Sequence, residues 1–247
     1  KLLLVKGSAG LADRLYQLLT AVMYAKISNR QIVVDWRDEC FGNTKRENLF
    51  SIAFDFQNID AGTMESIPCN VLSVCPPPWR GKLNLTAHEI VQANGLYIPW
   101  SSEKIIKECS VDIASCEHVE DVAVYMIEKN MEKMRESINS LFPCFVNRCQ
   151  NEIRKELFVD HLVLNPDILQ EVQELCDTYC LDEVIGVHVR KTNESGMRTF
   201  GIHLYFKAID RIRRQCPEAD IYLATDNAEV ISAFKAKYGR IIAIDKW

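Results

Sequence analysis

No apolar run in this sequence approaches the roughly 20 residues that a membrane-spanning helix needs. No leader peptide is visible either, because Lys1-Leu-Leu-Leu-Val-Lys6 is too short a stretch and gives way at once to glycine. Ten cysteines contain no Cys-x-x-Cys pair, which argues against a structural zinc site. No Asp-x-Asp occurs, so the close carboxylates that a hard divalent cation wants are missing and no metal ligands are expected. There is no Walker-type lysine loop and no Gly-x-Ser-x-Gly elbow, which lowers the kinase and hydrolase readings. Basic excess is lacking as well. A net charge of −5 speaks against a nucleic-acid partner.

What remains is an ordinary soluble composition, 48% hydrophobic and 26% charged over 247 residues, enough for one large domain or two small ones. A chain of this size needs no disulfide staples, and Cys176 and Cys180, one helical turn apart, read as small apolar residues. Reduced thiols in a cytoplasmic protein are therefore expected, with a secretory lumen as the alternative.

Leu2-Leu-Leu-Val5 reads as a buried strand running into the glycine turn Lys6-Gly-Ser-Ala-Gly10. Leu15, Leu18, Leu19, Val22 and Met23 then recur at helical spacing, and Gln31-Ile-Val-Val-Asp-Trp36 reads as a second strand. That βαβ unit implies a parallel sheet. Asp38 to about Ser115 looks like loops and short insertions. Glu120 to Phe142 is predicted as one long helix, and Asn165-Pro166 opens another, with Asn165 as its cap. From Val184 the alternation is clean. Strands are expected at Val184–Arg190, Ile221–Ala224 and Ile241–Ile244, with helices at His203–Cys216 and Ala228–Tyr238, the last closed by Gly239. The expectation is an α/β protein of two facing Rossmann-like domains, 1–150 and 151–247. The second would be incomplete, because the sequence stops just after a strand.

Three segments could carry chemistry. In Ile185-Gly-Val-His-Val-Arg190, residues two apart share a face, so Gly186, His188 and Arg190 point together. Burying His188 and Arg190 side by side demands partners, and a diphosphate suits the arginine fork and the polar turn of Lys191, Asn193 and Glu194. The bland alternative is a structural Arg paired with a carboxylate. In Tyr222-Leu-Ala-Thr225-Asp226-Asn227, Asp226 reads as a helix N-cap completed by Glu229, and also as a carboxylate beside a ligand cleft. Tyr205, on the preceding helix, is counted with these binding candidates. Gly10-Leu-Ala-Asp13 opens the first helix, where a glycine turn suits an anion or a close ligand, although a plain tight turn explains it as well. Asp35-Trp-Arg37 borders the same end of the sheet and reads equally as a core Trp beside a surface ion pair.

Gly10-Leu-Ala-Asp-Arg-Leu15 through Asp35-Trp-Arg-Asp-Glu-Cys40 resembles the amino-terminal signature of the bacterial nodulation-type α-1,6-fucosyltransferases. Ile185 to Arg190 and Tyr222 to Asp226 resemble the donor-site motifs that this family shares with the protein-O-fucosyltransferases. The resemblance implies a GT-B fold and inverting, metal-independent transfer, with no cofactor beyond a donor such as GDP-fucose and a glycan as acceptor. Domain 1–150 would be the acceptor side. It further implies that Arg190 holds the donor β-phosphate, that His188 touches the nucleoside, and that Asp226 matches the family's carboxylate. Lys191 stands where a second Arg is common and lacks its bidentate fork. Asn193 and Asn227 stand where mammalian-type enzymes carry acids, and the family's serine-bearing motif would fall beyond Trp247. Glu194 and Asp13 are the candidates for a general base. The competing reading is a nucleotide- or glycan-binding module without turnover, or a transferase using another sugar nucleotide.

Overall fold

The computed structural model describes residues 1–37, 47–68, 73–96, 104, 108–113, 118–126, 148–191 and 200–244. The chain divides into two compact units, Lys1–Asn165 and Pro166–Trp247.

The first unit is built on a five-stranded parallel sheet. Its strands are β1 (Leu2–Lys6), β2 (Gln31–Asp35), β4 (Ala61–Gly62), β5 (Val74–Cys75) and β6 (Val122–Tyr125), in the order β4-β2-β1-β6-β5. Both faces are covered, as a parallel sheet requires. Helix α1 (Leu11–Ser28) packs on one side, where Leu18, Val22 and Ala25 meet Leu3, Val5, Ile32 and Val34. Short α3 (Ala87–Ala93) lies among the opposite set, Leu4, Val33, Val122 and Val124, with Trp79 fully buried there. Thr86 and Glu89 close a reciprocal capping box at its start. Helix α2 (Leu49–Ala53) leads into β3 (Phe54–Phe56), which pairs antiparallel with β7 (Leu162–Leu164) after helix α4 (Gln150–His161). This pairing holds residues 150–165 in the first unit. The boundary therefore falls later than the 150/151 division read from the sequence.

The region predicted as a helix from Glu120 contains β6 instead. Val122 and Val124 face one core and Ala123 and Tyr125 the other, so a strand buried on both sides reads as a continuous apolar run that helical spacing fits equally well. Residues 127–142 of that expected helix lie outside the described residues.

The second unit holds α5 (Pro166–Tyr179), β8 (Ile185–Val189), α6 (Ile202–Arg213), β9 (Ile221–Thr225) and α7 (Ala228–Tyr238). Pro166 is the first residue of α5, and Gly239, at φ +75°, ends α7. Strands β8 and β9 are parallel, and the strand expected at 241–244 is reduced to a bridge between Tyr222 and Ile242. Ile209, Val230 and Phe234 cover one face of this small sheet.

A group of charges inside the first unit ties its sheet together. Lys6, the last residue of β1, is wholly buried, and its ammonium donates to Asp35 Oδ2 at 2.5 Å and to the carbonyls of Leu83 and Leu85. Asp35 ends β2 and also accepts a two-pronged contact from Arg37, at 2.8 Å to each oxygen. The expected ion pair at Asp35 and Arg37 is present, but its carboxylate is buried, not on the surface. Burial alone would raise the Asp35 carboxyl; the Arg37 hydrogen bonds and the Lys6 charge outweigh it and hold the group below the usual carboxylate range. Its contribution to stability is present above that range and is lost as pH falls through the depressed value.

Asp35→Asn strands Lys6 as a buried cation and is expected to destabilise the protein by about 3–5 kcal/mol. Adding Lys6→Met should recover much of that loss. Urea unfolding followed by tryptophan fluorescence checks both, and a single variant as stable as the parent would refute the assignment.

Candidate functional site

In the second unit, β8 and β9 run in register from Ile185 beside Ile221 to Val189 beside Thr225. Arg190 and Asp226 therefore leave adjacent parallel strands at the same level. The Lys191 N–H donates to Asp226 Oδ1 at 2.8 Å, which ties the turn after β8 to the turn after β9. Asp226 is not the helix cap. Asn227 is: its side-chain oxygen accepts from the Val230 N–H at 3.1 Å, and its own N–H donates to Thr225 Oγ1 at 3.3 Å. Asp and Asn cap about equally well, and the cross-strand bond occupies the aspartate, so the cap moves one residue along. Glu229 then sits at the second helical position, where the capping box expected with Asp226 cannot form.

The alternation along β8 is as the sequence indicates, with Ile185 and Val189 buried and Gly186 and His188 on the other face. That other face is exposed, and so is Arg190. The expected penalty for burying His188 and Arg190 does not arise, and both side chains are open to a ligand. Lys191 is half-buried. Tyr205 packs with Ile202 and Phe206 against the core of this unit, a placement that gives it a packing role. Asn193 and Glu194 lie outside the described residues.

In the first unit, the chain turns back between β1 and β6, which is where a doubly wound sheet opens a crevice at its carboxyl ends. Gln17, buried on α1, donates to the carbonyls of Lys6 and Tyr125 and pins the ends of those two strands. Arg14 is also buried. Its Nε donates to the Ala9 carbonyl at 2.9 Å and its Nη1 to the Trp36 carbonyl at 3.0 Å, so it locks the glycine turn against the end of β2. Gly7 is the glycine that packing demands, since a Cβ there would lie 2.5 Å from Trp36 Cδ1. At Gly10, the N-cap of α1, an added Cβ would meet nothing within 4 Å, so packing leaves that position free. Asp13 is half-buried in the first turn of α1, where a carboxylate is favoured by the helix dipole.

Sequence reasoning passed over a cavity of about 490 Å³ in this unit, lined by Arg37, Asn48, Phe50, Phe54, Phe56 and Glu65 among others. Three phenylalanines within seven residues were its available signal. Phe50 and Phe56 lie 4.8 Å apart between ring centroids. Trp36, buried at the end of β2, meets Phe50 edge-on.

Two compact α/β units, each with parallel strands and its candidate groups in the turns after those strands, are the parts of which a GT-B fold is made. Comparison with known proteins gives the particular relatives. The family model for nodulation protein Z (NodZ) matches residues 1–74, which include the whole Gly10–Cys40 resemblance. Nodulation protein Z of Azorhizobium caulinodans is 25% identical over 257 residues, spanning 96% of this chain and 70% of that protein. The Bradyrhizobium diazoefficiens protein of the same name is 22% identical over 268 residues, covering 96% of this chain and 62% of its own length. Among solved structures, the NodZ α-1,6-fucosyltransferase soaked with GDP-fucose superposes with a TM-score of 0.62 at 17% identity, over 100% of this chain and 78% of that one. The likeness to the nodulation-type proteins thus extends along nearly the whole chain, and the fold is theirs.

The two turn residues should separate cleanly. Asn227→Ala is expected to lower stability by about 1 kcal/mol through loss of the cap, and Asn227→Ser should restore it. Asp226→Ala should leave the melting temperature unchanged while loosening the Arg190 turn. Thermal melts of the three variants decide the matter; a large drop for Asp226→Ala alone would return the capping role to that residue.

Proposed function

We propose that this chain belongs to an inverting, metal-independent glycosyltransferase that moves fucose from GDP-fucose to a glycan. The observation that carries the reading is the tie between Asp226 and the Lys191 N–H, which sets the exposed Arg190 at the carboxyl end of a parallel strand. The nodulation-type relatives and the GDP-fucose-soaked neighbour support the choice of donor. Arg190 grips the β-phosphate with its planar fork and stabilises the negative charge that grows as the sugar–phosphate bond breaks. Backbone N–H groups at the α7 amino end add fixed positive dipoles. His188, on the open face of β8, touches the nucleoside part. The acceptor hydroxyl attacks the anomeric carbon from the side opposite the leaving GDP. Its proton goes to a carboxylate, for which Asp13 and Glu194 are the candidates. In the first unit, the cavity beside Phe50, Phe54 and Phe56 offers apolar faces to sugar rings, with Arg37 and Glu65 for their hydroxyls.

Arg190→Ala should keep the fold, weaken GDP-fucose binding and reduce turnover by about two to three orders of magnitude. Arg190→Lys should also fail to recover full activity, because an ammonium cannot make the paired contact. Calorimetric titration with GDP and a transfer assay separate the two readings of the chain: binding without transfer by the parent protein would leave it a binding module. A fully active Arg190→Ala variant would remove Arg190 from the site.

Transfer should persist in excess EDTA at a temperature where the protein stays folded. Loss of activity that Mn²⁺ or Mg²⁺ restores would overturn the metal-independent mechanism.

A further inference from the structure

At the amino end of the five-stranded sheet, Cys75, His118 and Glu120 converge from two segments distant in sequence. Cys75 ends edge strand β5, and the other two residues lie just before β6. One ligand atom from each lies within 4.8 Å of the others, and Cys75 Sγ is 4.0 Å from His118 Nδ1. His118 Nε2 is 2.9 Å from the Asp112 carbonyl oxygen, so Nε2 donates to that carbonyl and Nδ1 is the ring nitrogen that faces the cluster. A metal-ligating imidazole is oriented in this way, by a carbonyl on its far nitrogen. The His118 carbonyl is itself held by Arg30 Nη2. Glu120 contributes an independent sign: its Oε2 is buried and has no hydrogen-bond partner among the described residues. A buried carboxylate oxygen left unmatched is costly unless a cation or donor completes it.

We propose that Cys75 Sγ, His118 Nδ1 and Glu120 form a zinc-binding site. Thiolate, imidazole and carboxylate together are a borderline-soft donor set that favours zinc over magnesium or calcium. In a tetrahedral zinc site with bonds of about 2.0–2.3 Å, neighbouring ligand atoms lie roughly 3.3–3.8 Å apart, so the cluster needs to contract by up to about 1.5 Å. Binding displaces the Cys75 thiol proton to solvent, and the thiolate and carboxylate charges balance the ion. Water completes the fourth position. The site lies a strand's length, roughly 15 Å, from the carboxyl ends where Gly10 and Asp13 emerge. Its role is to reinforce the tie between the short β5 and the segment entering β6, which among the described residues rests on the pairing of Val74 and Cys75 and on the hydrogen bonds of Ser73 to Asp121 and Val122.

Cobalt(II) is the probe, because its tetrahedral thiolate complexes absorb visibly and zinc displaces it. The EDTA-treated and desalted protein should take up cobalt stoichiometrically, with a thiolate charge-transfer band that zinc abolishes, and zinc should raise the melting temperature. Cys75→Ser and His118→Gln should lose the band, and Glu120→Gln should weaken cobalt binding about tenfold or more, within the range seen when metal ligation is disturbed. No thiolate band in the parent protein would overturn the site. So would a band that survives unchanged in Cys75→Ser, since another cysteine would then be the ligand.

Discussion

A lysine ammonium with no access to water holds the first unit in register. Lys6 has three protons to place, and its three partners come from two separate stretches of chain, Asp35 from one and Leu83 and Leu85 from the other. Taking that cation out of water costs several kcal/mol unless each proton is received, so the neighbouring chain has little freedom to be elsewhere. The indole of Trp79 adds a face 5.2 Å from the ammonium, which also fixes the loop before α3. Ends of β1 and β2 that would otherwise fray are thereby pinned at the level where the chain turns into α1. Arg14 and Gln17 extend the same arrangement by placing buried donors on the carbonyls of Ala9, Trp36, Lys6 and Tyr125.

That rigidity explains which parts of the site could be read from the sequence. The βαβ opening and the succession of β8, β9 and α7 are legible in the sequence because each element is made locally, by apolar periodicity and by a glycine at the end of the helix. In the sequence Lys6 reads as the start of the glycine turn, since its partner Asp35 is 29 positions away and its other two acceptors are backbone groups. Nothing local marks a lysine as buried. The carboxylate at Asp226 was seen, but its partner was not: a cap and a cross-strand acceptor have the same residue preferences, and the choice depends on where Lys191 lies in three dimensions.

The misreading of 120–126 has a related cause. Helix and strand assignments separate well when one face is wet, because the polar residues then reveal the period. In β6 every side chain from Val122 to Tyr125 is buried, and the run carries no phase at all. The same dryness separates the two units. Unit 1 covers both faces of its sheet, whereas β8 in unit 2 leaves Gly186 and His188 exposed. Exposure leaves one side of that strand open while the other side holds the fold.

The cysteines follow the same logic. Sequence spacing excluded zinc ligands that are close neighbours along the chain, and it could not address ligands that a parallel sheet brings together. Cys75 and His118 are 43 positions apart and meet because β5 pairs with β6 in a register that sets Val74 beside Val122. The six described cysteines are free thiols, but they are not equivalent. Burial raises the thiols of both Cys75 and Cys109, but Cys109 is fully buried among apolar side chains and serves as a filler. Cys75 instead stands half-buried beside the His118 imidazole and a carboxylate oxygen with no hydrogen-bond partner among the described residues, and that company sets it apart as a ligand.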